Sequence, residues 1–538
     1  MLFRSAEVVT PNELIRAILT ADVDLLFFGG IGTYLRASDE TDAEVGDRAN
    51  DALRVTGRML RAKVVGEGAN LGATQLGRIE YALAGGRINT DAIDNSAGVD
   101  CSDHEVNIKI LLNEVVAHGD MTVKQRNVLL AKMTDDVGEL VLRDNYLQSQ
   151  ALSLMEAHGP DRLDEQVRLI RHLERLGRLD RPIEFLPTEE QLAERLAKRG
   201  ILTRPEAAVV MPYCKLWLFD EIIDSDLADA AQLDAELINY FPPALRQGFG
   251  DAIHAHRLRR EIVATVVANA VVNRMGGTFL TEMIEDSGRN PAEIARAFLV
   301  VRSAFDLEAV WAAIEALDTK VPAQAQLAML MAVNRAVRAL VAWILRHAPQ
   351  PIDISGLSAR LKAGADMMLP AHLALAPQAA AEAWLAAGVP DDLARRVLAL
   401  EAMVSVPDVV TLAETRGLAI PLAAAAHHRV GERFGFGWLK TTAAHLAPRS
   451  HWQKLALGAL VEDFAEQQRH VAQGVLARLA PEATPESVET ALGEWIAANA
   501  YAVEQADRLL AEYRDAAQAP DLAMLTVAAR QYRTMARA

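Results

Sequence analysis

The chain has 538 residues, 51% hydrophobic and 24% charged, a balance that excludes a mostly disordered, collagen-like or disulfide-stapled protein. With 55 basic against 72 acidic residues the formal charge is −17, so nucleic acid is not an expected partner. Two cysteines, Cys101 and Cys214, are too few for a disulfide framework or a zinc site, and no uninterrupted apolar run approaches the roughly 18 residues that span a bilayer; the expectation is a cytoplasmic protein with no metal and no membrane partner.

Thr10-Pro11-Asn12-Glu13 puts a hydroxyl at N-cap, a proline at N1 and a glutamate at N3, which predicts a helix start. Asp24 to Phe28 is a short apolar run stopped by Gly29-Gly30 and reads as a buried strand. A polar helical stretch then leads to a second run, Ala62 to Gly66, which ends in Glu67-Gly68-Ala69-Asn70. The spacing predicts a helix over Thr74 to Leu83, stopped at Gly85-Gly86, and a third strand over Ile88 to Ile93 ending in Asp94-Asn95-Ser96-Ala97-Gly98. Strands alternating with helices at this interval indicate a parallel sheet whose ligands lie beyond the carboxyl ends of the strands, so the three loops should converge on one edge and offer bare backbone to a nucleotide. Ser102-Asp103-His104-Glu105 reads as a second capping box, opening a helix that ends near His118-Gly119; its positive end suits an acidic substrate. His104 and Glu105 point about 100° apart and cannot share one ligand, so His104 is assigned to a solvated helix start.

From about residue 146 onward only helical periodicity is present, broken by prolines at 187, 242, 243, 322, 349, 351, 390 and 481. The clearest helix is His256 to Met275, ended by Gly276-Gly277; His254, His256 and the arginines at 257, 259 and 260 mark an exposed or interdomain helix end. Leu216, Trp217, Leu218 and Phe219 read as core. The expected fold class is therefore α/β, a partial Rossmann-like doubly wound parallel sheet, followed by a large all-α C-terminal region. Its domains are residues 1–145, the C-terminal portion of a dinucleotide-binding domain, then a helical domain 146–350 and a C-terminal helical domain 351–538.

Gly66-Glu67-Gly68-Ala69-Asn70, followed by Asn95-Ser96-Ala97-Gly98-Val99 and Ser102, resembles the amino-acid dehydrogenases, and among them the glutamate dehydrogenases, in which an E-G-A-N loop and an N-A-G-G-V loop follow successive strands of the cofactor domain. Gly68 to Gln75, Gly85 to Ser96 and Ser102 to Lys109 are similar to the large, multidomain bacterial NAD-dependent enzymes, as are Arg204-Pro205-Glu206 and His256 to Thr265. The resemblance covers the whole chain as the C-terminal third or so of such an enzyme. It implies oxidative deamination of L-glutamate to 2-oxoglutarate and ammonia with hydride transfer to NAD. By that likeness Glu67, Gly68 and Asn70 lie on the cofactor, Asn70 at its ribose region, Asn95 holds the nicotinamide carboxamide, and Gly29 and Gly30 lie beneath the adenosine side. Ser102 stands where a serine binds the side-chain carboxylate of glutamate.

The chain departs from the family pattern at Ser96 and Ala97, and no G-x-G-x-x-G opens a strand-helix unit. The first half of the cofactor domain and the catalytic lysine and aspartate are expected upstream, in another part of the same enzyme, which leaves this chain catalytically incomplete by itself. A homo-oligomer is expected. The alternative reading is a non-catalytic helical module for assembly or regulation, with a residual nucleotide-fold scaffold.

Overall fold

The computed structural model describes residues 9–198, 200–375, 378–447, 450–480, 483–516 and 519–537. The chain divides into two compact units, one up to Arg296 and one from Ala297 onward.

In the first unit the helix Pro11–Leu19 forms as the capping box requires: the Thr10 hydroxyl accepts from the Glu13 N–H, and Glu13 returns the bond to Thr10 N. It leads into strand β1, Leu25–Phe28. A second pair of strands, β2 (Leu35–Arg36) and β3 (Val55–Thr56), is only two residues long each. The polar stretch between them is not a sustained helix. It yields a turn, Asp42–Val45, capped by Thr41 and Glu44 and ended by Gly46 in a left-handed conformation, then a 3-10 turn at Arg48–Asn50. Strand β4 is Val64–Glu67.

β1 and β4 pair in parallel, Leu25 opposite Val64 through Phe28 opposite Glu67, and β2 pairs with β3 in the same sense. Their inward side chains, Leu26, Phe28, Leu35, Val55 and Val65, form a small core with Ala73, Tyr81 and Ile88. The other face of β1 is open, with Leu25 58% and Phe27 61% exposed.

The expected third strand, Ile88 to Ile93, is corrected. Arg87 alone bridges to β4, through Val65 N–H to Arg87 O and Arg87 N–H to Lys63 O. Asp91–Asp94 is instead a helical turn, and the long helix Ala97–His118 begins at once. The structure is thus mostly helical with two small parallel sheets.

The helix Gln75–Leu83 is N-capped by Thr74, whose hydroxyl accepts from Gly77 N–H at 3.0 Å. The later helices of this unit include Thr134–Ala157, Arg204–Ile223 and Arg259–Met275. Trp217 and Leu218 are buried as expected, whereas Leu216 is 58% exposed, since it falls on the opposite face of its helix.

The second unit is entirely helical among the described residues. Its helix Ala323–His347 is long and apolar enough to cross a membrane by composition, as is the pair Arg259–Met275 and Thr278–Ser287 of the first unit only if joined across a 90° bend. Most of the apolar stretch of Ala323–His347 is buried in protein, with Leu330, Val333, Val337, Leu340 and Leu345 facing the core.

Candidate functional site

The carboxyl ends of β1 and β4 lie side by side because the strands are parallel and in register to their last residues. Gly29-Gly30 follows β1, and Gly68-Ala69-Asn70 follows β4; the Ala69 N–H donates to Phe28 O at 3.1 Å and ties the two loops together. Gly68 lies close against the tip of the exposed Phe27 ring. A Cβ there would stand 2.3 Å from the Phe27 ring. Gly30 is open, with nothing within 4 Å of such an atom.

Glu67 is fully buried at the end of β4. Both of its carboxylate oxygens are engaged inside the protein. Arg78, from the helix Gln75–Leu83, reaches them bidentately at 2.7 and 2.8 Å, and Ala73 N–H donates at 3.1 Å. Burial opposes the charge on Arg78, but the hydrogen-bonded carboxylate of Glu67 outweighs it and holds the guanidinium protonated. Arg78 also meets Asp91 at 3.2 Å. Asp91 and Asp94 then accept from the backbone of the same loop, Leu71 N–H at 2.8 Å and Glu67 N–H at 2.9 Å. One network of charges therefore fixes the loop after β4 against the turn Asp91–Asp94.

That turn delivers Asn95 to Asn70. The Asn95 amide nitrogen donates to Asn70 Oδ1 at 2.6 Å, which leaves Asn95 Oδ1 and the Asn70 amide N–H groups with no hydrogen bond among the described residues. A free acceptor beside free amide N–H donors can complement a primary carboxamide. Arg204 braces the turn from behind: it donates to Asn89, to Ser153 Oγ at 3.1 Å and to Ser149 O at 3.1 Å, while Asn89 donates to Asp94 at 2.6 Å.

Ser102 does not open a helix. The helix Ala97–His118 already begins one and a half turns earlier, so Ser102 is an internal, exposed position whose hydroxyl donates to Gly98 O at 3.1 Å. It lies one helical segment from Asn95, and its hydroxyl makes no bond to Asn70 or Asn95. His104 is also corrected: it is 3% exposed and stacked on Tyr240 with ring centroids 4.4 Å apart. Tyr240 in turn accepts from Asn107 at 2.7 Å and donates to Asp103.

His256 is likewise buried. Its Nδ1 accepts from Leu258 N–H, so Nε2 carries the proton it gives to Asn107 O at 3.1 Å. The ligand atoms of Asp100, His104 and Asp144 come within 4.8 Å of one another. Burial and the carboxylates of Asp144 and Asp103 push Asp100 up to about 7, while burial pushes the neighbouring Lys215 down to about 8 against the pull of Asp144 and Asp100. Cys101 is exposed and Cys214 buried, both as free thiols.

Arg78, Asp91, Asp94 and Arg204 organise the loops; Asp91, Asp94 and Arg204 lie in stretches the sequence singles out, whereas Arg78 is marked there only as part of a helix. The available signal was Arg78 beside Ile79 in a helix whose buried face contains no other charge; a guanidinium there needs a buried carboxylate, and Glu67 is the one an adjacent strand end supplies.

The model of the family described as glutamate dehydrogenase, C-terminal, matches residues 199–534, and the chain belongs to that family. Residues 1–155 match the bacterial NAD-glutamate dehydrogenase catalytic domain. Among curated proteins, the NAD-specific glutamate dehydrogenase of Pseudomonas aeruginosa is 43% identical over 99% of this chain and 33% of its own length. That of Halomonas elongata is 43% identical over 87% of the chain and 29% of its own length, and that of Mycobacterium tuberculosis 39% over 99% and 33%. The chain spans about a third of the length of these relatives.

Proposed function

We propose that this chain works as part of a larger NAD-dependent glutamate dehydrogenase, in the oxidative deamination of L-glutamate to 2-oxoglutarate and ammonia. The observation that carries the reading is the Asn70–Asn95 pair at the carboxyl end of β4, with amide donors and an acceptor left over for a carboxamide. The names of the relatives and the matched families support it.

In this reading residues 1–145 are the C-terminal portion of a Rossmann-like dinucleotide domain, followed by helical domains over 146–350 and 351–538. The open face of β1, with Leu25 and Phe27, belongs to the part of the sheet that upstream sequence completes. NAD supplies the hydride acceptor when bound. Asn95 and Asn70 hold its carboxamide end, Gly29 and Gly30 let its adenosine side approach the backbone, and Gly68 keeps the loop low over Phe27. Glu67 acts as a positioning residue, through Arg78, and Ser102 faces the substrate carboxylate. The acid-base residues come from upstream, and the assembly is a cytoplasmic homo-oligomer.

The test is Asn95→Ala in the intact enzyme. NAD reduction with saturating glutamate should show KM for NAD raised at least tenfold, with an unchanged melting temperature. Unchanged kinetics would overturn the assignment. Absence of glutamate-dependent NAD reduction in the intact wild-type protein would favour the helical assembly module instead.

A further inference from the structure

In the first unit the helices Ala97–His118 and Thr134–Ala157 pack against each other, and a cluster of side chains that the strand-end loops do not use lies between them. Asp100 and His104 stand four residues apart on the first helix and therefore share a face. Asp144 comes from the second helix. One ligand atom from each lies within 4.8 Å of the other two, and His104 Nε2 stands 3.9 Å from Asp100 Oδ1, too far for a hydrogen bond.

None of the three side chains is hydrogen-bonded to any described residue. The His104 side chain is only 4% exposed; its Nδ1 is sealed in the protein without a partner, and its Nε2 faces Asp100. Asp100 Oδ2 is sealed and unpartnered as well, but the side chain as a whole is 24% exposed, so the cluster can be reached from solvent. Asp144 is half-buried. Burial disfavours the charge on both carboxylates and keeps the imidazole neutral, with a lone pair to give. Buried polar groups left without partners are costly. Lys215, on the helix Arg204–Ile223, acts on Asp144 and Asp100 through space but makes no ion pair with either among the described residues.

The surroundings of the cluster are fixed even though its own polar atoms are not engaged. Stacking on Tyr240 sets the plane of the His104 ring, and Tyr240 is itself held by Asn107 at 2.7 Å and by Asp103. One turn earlier the Ser96 hydroxyl donates to Asn145 Oδ1 and ties the same two helices together.

We propose that Asp100, His104 and Asp144 form a binding site for a divalent transition-metal cation of the zinc type, with water in the remaining coordination positions. Nitrogen and oxygen ligands lie about 2.0–2.2 Å from zinc, so two atoms on one ion stand at most about 4.4 Å apart. The 3.9 Å approach of His104 to Asp100 already meets that limit, and the widest pair need close by no more than about 0.5 Å. An imidazole nitrogen among the donors favours zinc over magnesium or calcium, which take oxygen alone, and two carboxylates repel an anion. The charge of Lys215 opposes the cation, so its removal strengthens binding; were Lys215 simply the counter-ion of Asp100 and Asp144, its removal would bring no such gain. A bound ion ties the helix that follows Asn95 to Thr134–Ala157. The site shares no residue with the strand-end loops and does not depend on the dehydrogenase reading.

The test is calorimetric titration of zinc chloride into the purified, chelator-treated protein, with magnesium chloride as the comparison. Zinc should saturate one site and raise the melting temperature, while magnesium should not saturate. Asp100→Asn and Asp144→Asn, neither of them fully buried, should each weaken zinc at least tenfold. His254→Gln, which removes a half-exposed imidazole beside Asp234, should leave zinc binding unchanged. Lys215→Met should tighten it at least threefold. Cobalt(II) in place of zinc should give visible d–d bands without the thiolate charge-transfer band that capture by the exposed Cys101 would produce, a readout on the wild-type protein that stays decisive if a variant fails to fold. No saturable zinc binding, undiminished affinity in folded Asp100→Asn and Asp144→Asn proteins, zinc bound no more tightly by Lys215→Met, loss of binding in His254→Gln, or a thiolate band would overturn the proposal.

Discussion

The two units hold their functional residues in place by opposite means. Around β4 the backbone is positioned by charge: Glu67, Arg78, Asp91 and Asp94 together anchor a loop that strands of two to four residues could not hold by apolar burial alone. In the second unit the long helices satisfy their own backbone groups and pack through Leu, Val and Ala, as in Ala323–His347. Polar side chains buried there bridge whole helices, as Asp408 does between Trp343 and Arg469. The lesson is that buried charge fixes the backbone of short strands and loops in the first unit, whereas in the second it ties together helices that already hold their own shape.

Glu67→Ala is the sharpest way to break this contrast. It strands the buried Arg78 guanidinium and should cost about 3–5 kcal/mol, read by denaturant unfolding, with loss of the loop order that presents Asn70. A loss under about 1 kcal/mol would mean that charge does not hold the sheet edge.

Leu340→Ala applies the corresponding test to the second unit. Leu340 is fully buried in Ala323–His347, and its truncation should cost about 2–5 kcal/mol by the same measurement, from lost burial and the cavity left behind. The effect should be insensitive to salt and pH, unlike that of Glu67→Ala.

A third prediction concerns pH. Asp100 titrates at about 7 in the folded protein against 3.8 for the free side chain, because of burial and the carboxylates of Asp144 and Asp103. The folded state therefore binds more protons than the unfolded one between about pH 4 and 7, and stability falls as pH rises through that window. Asp100→Asn should flatten the decline in melting temperature between pH 5 and 7.5. An unchanged slope would show that Asp100 is ionised at no cost.

The smallest effect is expected from Ser102→Ala. The side chain is exposed and bonds only to Gly98 O, so stability should change by less than about 0.5 kcal/mol. A raised KM for glutamate in the intact enzyme would then report contact with substrate, and an unaltered KM would remove Ser102 from the site.

Local signals were legible where the local chain decides its own conformation. The capping box at Thr10, the strand at Leu25–Phe28 and the helix capped by Thr74 form as their residues dictate. The loops of Gly29-Gly30 and Gly68-Asn70 do meet, because parallel pairing in register follows from two apolar runs separated by a crossover. The reading failed at Ile88 to Ile93, where the apolar residues suited either a strand or a buried turn. After Arg87 makes its one bridge, the carboxylates of Asp91 and Asp94 are needed by loop N–H groups and by Arg78, and a helical turn brings them there. Ser102 failed for a related reason: its residues fit an N-cap, but the helix nucleated earlier, at the turn that carries Asn95.

Sequence alone determined the family, the helical character of the chain from about residue 146 onward, and the residue types placed at the strand ends. These follow from periodicity, capping and motif, which act over a few residues. Tertiary structure alone decided that Asn95 bonds to Asn70, that Glu67 is paired with Arg78, and that Asp144 comes up beside Asp100 and His104. Each of those depends on two or more segments meeting within a few ångströms. Such meetings are set by the packing of whole helices and strands, and spacing along the chain does not encode them.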